Sequence, residues 1–242
     1  TVALAGVLAA SMLFTGCSKK AESKVPDKLI VGTNAEFPPF EYMNDKKQPE
    51  GFDIAMIKEI GKRMGKKVEI KNMEFKSLIG AMESDSINAI IAGMTKTEKR
   101  EKAVDFSDSY YTTNQAIILK KDSKITKLAQ LDGKKIGVQE GTTGDLISSG
   151  DKFGDGKKAK VLVKGAKVKR FKKGVDAVMD LKNGSVDAVV IDELTANEFV
   201  KKNAKKLKIV IDSAGSEYYC IALTKGNTAY KEEVNKQIKA IK

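Results

Sequence analysis

Apolar positions along the chain recur with two periods. Short unbroken or alternating runs read as strands: KLIVGT (28–33), KKVEIKNM (66–73), INAIIAGMT (87–95), KKIGVQ (134–139), AKVKRF (166–171), VDAVVID (186–192) and LKIVI (207–211). Between them the spacing turns helical. FDIAMIKEIGKRMG (52–65) sets Ile54, Ile57, Ile60 and Met64 on one face, with Gly65 as a C-terminal stop. FKSLIGAMESDS (75–86), TEKREKA (97–103), EGTTGDLISS (140–149), GVDAVMDLKNG (174–184) and ELTANEFVKKN (193–203) read the same way, the first four starting in or just after a polar turn. VDFSDSYYTTNQAIILKK (104–121) carries strand signals over an unusual length.

Strands alternating with helices predict an α/β fold with mostly parallel sheets and crossover connections. The alternation runs in two series, which predicts two lobes; a chain of 242 residues is long for a single core. Residues 150–167 are rich in Gly and Lys and read as a surface excursion of the second series.

The first residues follow neither period. Val2 to Phe14 is an uncharged apolar run, too short to span a bilayer and suited to the core of a signal peptide. No initiator Met or basic start precedes it, so the chain reads as beginning inside its signal, expected over residues 1–16. FTGCSKK resembles a bacterial lipobox, in which cleavage precedes a lipidated Cys, here Cys17; Phe14 departs from the usual Leu, which stands one place early as Leu13. Residues 17–27 are then a lipid-anchored linker, and several acyl chains such as palmitate on one Cys give a stable anchor. The other cysteine, Cys220, lies in the apolar YYCIALT and reads as a small buried hydrophobe, so no internal disulfide is expected.

Composition narrows the chemistry. Hydrophobic content of 41% with 31% charged residues fits a globular protein. His is absent, which removes Ser-His-Asp and Cys-His catalysis. The net charge of +12 is spread along the chain among acids, without interleaved aromatics, so no nucleic-acid site is expected. Neither metal nor cofactor is expected.

Ligands of open α/β sheets bind at the carboxyl ends of strands, and four loops occupy that place. VGTNAEFPPFEY (31–42) offers Phe37 as a flat apolar wall whose approach is set by two prolines. AGMTKTEKR (92–100) offers Gly93, Thr95 and, on a short helix, Arg100 as a bidentate carboxylate clamp. QEGTTGD (139–145) offers Thr142 and Thr143 at a helix start. VVIDELTAN (189–197) offers Asp192 as a partner for an ammonium. Singly, each has a structural reading too: core for Phe37, a solvated helix charge for Arg100, helix caps for the threonines and Asp192. Jointly they would hold a zwitterion.

In this order the segments GTNAEFPPFEY, GFDIAMIKEI, AGMTKTEKR, VDFSDSYY, GTTGD and VDAVVID resemble the polar amino-acid-binding proteins of bacterial ABC importers, over about Lys28 to Lys242. The resemblance implies a two-lobed periplasmic-binding-protein-like fold of type II, closing about two hinge crossings near Thr113–Ala116 and Asp212–Ser216. Lobe one is then 28–113 plus 216–242, and lobe two 114–215. It also implies an aromatic sandwich of Phe37 and Phe75, and an α-group turn of Ala92, Gly93, Met94 and Thr95. Arg100 would hold the carboxylate, Thr142 and Thr143 would stand at the helix start, and Asp192 would hold the ammonium. Asn34, Glu36 and Gln139 would face the ligand side chain, with Phe40 and Tyr42 packed beneath. Members usually continue through a further short helix with an aromatic ending, which is not found before Lys242.

The partners implied are a small-molecule amino acid and the permease and ATPase subunits of the importer, with the protein a monomer held at Cys17 on the outer face of the cytoplasmic membrane or in the periplasm. Basic-amino-acid binders often carry an acid where Asn34 stands, for which Glu36 could compensate; a cation over Phe37 and Phe75 would add ~0.5–2 kcal/mol. The glutamine-binding pattern places Lys at Gln139 and His at Ile191, and both are missing. Arginine or lysine is therefore expected. The competing readings are a cyclohexadienyl or arogenate dehydratase of the same fold, with Glu36 as its acid, and an amino-acid sensor domain.

Overall fold

The computed structural model describes residues 24–153, 160–212 and 216–242. The apolar run 2–14, Cys17, the middle of the 150–167 excursion and residues 213–215 of the second expected crossing lie outside the described residues.

The first series forms β1 (Lys28–Thr33), β2 (Glu36–Phe37), β3 (Glu41–Met43), β4 (Pro49–Glu50), α1 (Phe52–Arg63), β5 (Lys67–Asn72), α2 (Leu78–Glu83), β6 (Ala89–Ile90), α3 (Glu98–Glu101) and β7 (Val104–Thr113). The second forms β8 (Gln115–Lys120), β9 (Lys135–Gln139), α4 (Thr143–Ser148), β10 (Lys152–Phe153), β11 (Lys160–Val161), β12 (Lys167–Phe171), α5 (Gly174–Asn183), β13 (Ala188–Asp192), α6 (Glu193–Lys201) and β14 (Leu207–Ile211). The chain then runs through β15 (Glu217–Thr224) to α7 (Thr228–Ile241).

Two five-stranded sheets carry the fold, in the orders β5-β1-β6-β15-β7 and β12-β9-β13-β8-β14. Both are mixed rather than mostly parallel. In the first, β5, β1 and β6 run parallel while β15 is antiparallel to β6 and β7. In the second, β12, β9 and β13 run parallel while β8 is antiparallel to β13 and β14. The antiparallel strands are those on either side of the passages between sheets. Both passages run between the same ends of the two sheets, so the strand that leaves the first sheet and the one that enters it, β7 and β15, run in opposite directions.

The long strand signal of 104–121 divides at Asn114: β7 belongs to the first sheet and β8 to the second. The run 87–95 keeps only Ala89 and Ile90 as a strand, because Gly93 at φ 50° turns the chain away. Its later residues instead bond to β15, with the Cys220 N–H donating to Met94 O at 3.0 Å. The expected turn at 37–42 is partly the small sheet β2-β3-β4, and the ends of the excursion pair as β10 and β11. Gly184 ends α5 in the left-handed conformation at φ 81°, as its position predicts.

Ile54, Ile57 and Ile60 of α1 are buried, while Met64 is half-buried. Leu29, Val31, Ile57, Ile60, Tyr219 and Ile221 share a cluster with Tyr230, Val234 and Ile238 of α7, each large side chain contributing about 1.5–3 kcal/mol on burial. Ile117, Leu119, Ile136, Val138, Ile147 and Val190 form another in the second sheet. Cys220 is buried with Leu78, Met82 and Phe106, and burial pushes its thiol up to about 11, so it packs as a hydrophobe.

Candidate functional site

The carboxyl ends of β1, β6, β9 and β13 point at one cavity between the two sheets. It is lined by Asn34, Phe37, Phe75, Ala92, Gly93, Thr95, Arg100, Gln139, Thr142, Thr143 and Asp192. All four loops singled out in the sequence contribute. Two expected residues do not line it. Met94 is buried in the cluster with Leu78 and Ile90, because it follows the Gly93 turn and its side chain points back toward the sheet. Glu36 is drawn away by Lys173, whose Nζ stands 2.7 Å from its carboxylate.

Arg100 is buried at one end. One Nη donates to Thr95 O, the other to Gly141 O at 3.0 Å. Its guanidinium carbon stands 5.3 Å from the Phe75 ring centroid. Thr97 caps α3 by accepting from the Arg100 N–H at 3.2 Å, which fixes the turn from which the side chain departs. Burial pulls the guanidinium down to about 10, with Glu217 and Asp192 acting the other way, so it is a cation at neutral pH.

Asp192 closes β13 and precedes α6. It accepts from Gln115 Nε2 at 2.6 Å and from the Tyr219 hydroxyl. Burial first, then the charge of Glu217, raises its carboxyl to about 8. Glu217 heads β15 and is 1% exposed. One of its oxygens accepts from the hydroxyls of Thr95 at 2.6 Å and Thr143 at 2.7 Å; the other accepts from Gln115 Nε2 at 2.7 Å. Burial raises its carboxyl while these three donors lower it. Thr142 is the N-cap of α4, accepting from the Asp145 N–H at 3.3 Å and donating to Gln139 O at 2.8 Å, so its side chain serves the helix start.

At the other end the lining is neutral. Asn34 donates to Met73 O at 2.8 Å and accepts from Gln139 Nε2 at 2.7 Å, a bond between the two sheets. Phe37 is 6% exposed, and the peptide joining Pro38 and Pro39 beyond it is cis. Phe40 packs beneath, with centroids 6.5 Å from Phe37 and 5.0 Å from Tyr219. Tyr42 does not: its hydroxyl meets Glu50 at 3.4 Å on the exposed face of the small sheet, because β3 alternates and sends it opposite Glu41. Around the mouth, ion pairs join the sheets: Lys76 with Glu140 at 3.0 Å, Lys172 with Glu74 at 2.6 Å, and Lys173 with Glu36.

Gly93 is where the backbone comes closest to a ligand wall. At φ 50° a Cβ would stand 3.3 Å from the rings of Phe37 and Tyr219. Its N–H donates to Asp53 Oδ2 at 2.8 Å, which also accepts from the Tyr110 hydroxyl at 2.7 Å. Glu41 is fully buried beside Asp53, and burial with that neighbour's charge holds its carboxyl well above the usual range.

Sequence reasoning missed Gln115, Glu217, Tyr219 and Asp53. The available signal was a polar residue at a strand or helix terminus: Gln115 and Glu217 each begin a strand where the chain passes between sheets. No group of three His, Cys, Asp or Glu side chains is gathered as a metal site among the described residues.

The profile of the family described as bacterial extracellular solute-binding proteins, family 3, matches residues 29–242. The arginine-binding extracellular protein ArtP of Bacillus subtilis is 36% identical over 204 residues, covering 84% of this chain and 75% of its own. ABC transporter arginine-binding protein 1 of Escherichia coli is 32% identical over 221 residues, covering 89% and 86%. Among solved structures, an ancestral arginine-binding protein, determined bound to arginine and bound to glutamine, superposes with a TM-score of 0.78 at 40% identity, covering 90% of this chain and 93% of that one. With the profile spanning both sheets and the site between them, the chain belongs to the family 3 bacterial extracellular solute-binding proteins.

Proposed function

We propose that the protein captures a basic L-amino acid, arginine foremost, outside the cytoplasmic membrane and delivers it to the permease and ATPase subunits of an ABC importer. The observation that carries this reading is the pairing of Arg100 and Asp192 in one buried cavity, a cation and an acid facing the space a zwitterion needs. Arginine is favoured by the arginine-binding relatives at 36% and 32% identity and by the ring faces at the neutral end of the cavity. The aromatic faces of Phe37 and Phe75 suit a guanidinium.

Residues 28–113 with 216–242 make one lobe and 114–215 the other, the two parting about Asn114 and the 212–216 crossing. A monomer anchored by lipid at Cys17 completes the reading. A dehydratase is disfavoured, since Glu36, its one candidate acid, is spent on Lys173.

The test is a thermal-shift screen of a soluble form starting after Cys17, against the standard amino acids, ornithine, citrulline and cystine. A ligand at a hundred times its Kd adds ~2.7 kcal/mol and raises Tm by several degrees. Arginine is expected to give the largest shift. A shift with neutral amino acids alone would discard the specificity, and no shift from folded protein would discard the function.

A further inference from the structure

Glu217 touches both halves of the cavity lining without lining it. A threonine hydroxyl has one proton to donate and lone pairs to accept with. Thr95, reached from the first sheet, and Thr143, at the start of α4 in the second, both spend that proton on the same Glu217 oxygen, at 2.6 and 2.7 Å. Gln115 Nε2 donates to the other Glu217 oxygen at 2.7 Å and to Asp192 at 2.6 Å, with the Thr143 hydroxyl oxygen a more distant acceptor at 3.2 Å, which leaves that oxygen one lone pair for the cavity. The hydroxyl protons of Thr95 and Thr143 and the amide protons of Gln115 are thereby consumed, and what these side chains leave toward the cavity is acceptors.

Resting on the amino-acid reading above, we propose that Glu217 is the positioning residue for the ligand ammonium: by taking the hydroxyl protons of Thr95 and Thr143 it leaves their oxygens able only to accept, beside the Asp192 carboxylate. A carboxylate is the group that can do this, because it accepts at both oxygens and donates at neither. An amide of the same shape fails in either orientation. With its NH2 toward the threonines, the hydroxyls must turn their protons into the cavity, against the ammonium. With its NH2 toward Gln115, that residue must flip and set its own oxygen against Asp192. The Thr95–Glu217–Thr143 bridge also joins the two sheets, so the acceptor set is complete only when both are together.

The experiment compares wild type, E217Q, T143V and the double variant by calorimetry, with arginine and with δ-guanidinovalerate, which keeps the carboxylate and guanidinium but lacks the ammonium. E217Q is expected to weaken arginine by ~10–100-fold, in the range of a lost charged hydrogen-bond partner, and to leave the analogue within about twofold. Its loss and that of T143V should not add, since both break one acceptor set. Equal losses for arginine and the analogue, additive losses, or no loss would each overturn the proposal. Should E217Q not fold, the pair T143V and T143S decides: Ser must restore arginine binding, and a failure to do so overturns the role of the oriented hydroxyl. Wild type that binds no amino acid would instead overturn the function itself.

Discussion

The two ends of the cavity solve opposite problems. The end holding Arg100, Asp192 and Glu217 is built from charges whose ionisation burial disfavours, each supported by several hydrogen bonds. The end holding Asn34, Gln139, Phe37 and Phe75 has no free charge, and its two amides bond to each other. In the proposed function the first end binds what all α-amino acids share, and a buried charged group there must meet its partner in a fixed geometry. The second would meet what differs between amino acids, and neutral amides and ring faces can accept more than one side chain. Strength and selectivity are thus placed at separate ends of one cavity.

The largest expected effect breaks the charged end. Arg100→Ala leaves Asp192 and Glu217 without their cation, and calorimetry should show a loss of about 3–5 kcal/mol for arginine and glutamine alike. Retained affinity for either would mean that the carboxylate is held elsewhere. A smaller effect sharpens the neutral end. Asn34→Asp adds an acid there while keeping the acceptor for Gln139, and should raise the preference for arginine over glutamine about tenfold, ~1.4 kcal/mol. An unchanged ratio would mean that the ligand side chain does not reach Asn34.

A third effect is that of pH on the charged end. Asp192 is raised to about 8, so its proton is held through neutral pH. Stability of the protein without ligand is greatest at low pH and declines as pH rises toward 8, because ionisation there carries the burial penalty. A ligand ammonium removes that penalty. Binding at pH 6 should therefore release about one proton, and affinity should rise roughly fiftyfold between pH 6 and 8 and level above about pH 9. Calorimetry in two buffers of different ionisation heat reads the proton directly; a null result would mean that Asp192 is already ionised in the empty site.

Much of the site was legible because it rests on local signals. Phe37, Gly93, Thr95, Arg100, Gln139 and Asp192 follow strand ends, and strand ends can be read from apolar runs and the turns that stop them. Glu36 misled for the same reason: its place beside Phe37 is local, but its partner Lys173 comes from another sheet. Likewise the run 104–121 showed its apolar residues but not that Asn114 splits it between two sheets.

The sequence by itself determined most strands and helices of the two series, though not α7 or the small sheet, together with the caps at Gly184 and Thr142 and the loops that stand at carboxyl ends, because periodicity, capping and glycine conformation act within a few residues. The tertiary structure decided the mixed direction of the sheets, the diversion of Glu36, and the gathering of Gln115, Glu217 and Tyr219 around Asp192. Thr95 and Glu217 are 122 positions apart. They meet because the segment after β6 lies along β15, whereas Glu217 meets Thr143 only when the two sheets close on each other, and the burial that shifts the Glu217 and Asp192 carboxyls exists only then.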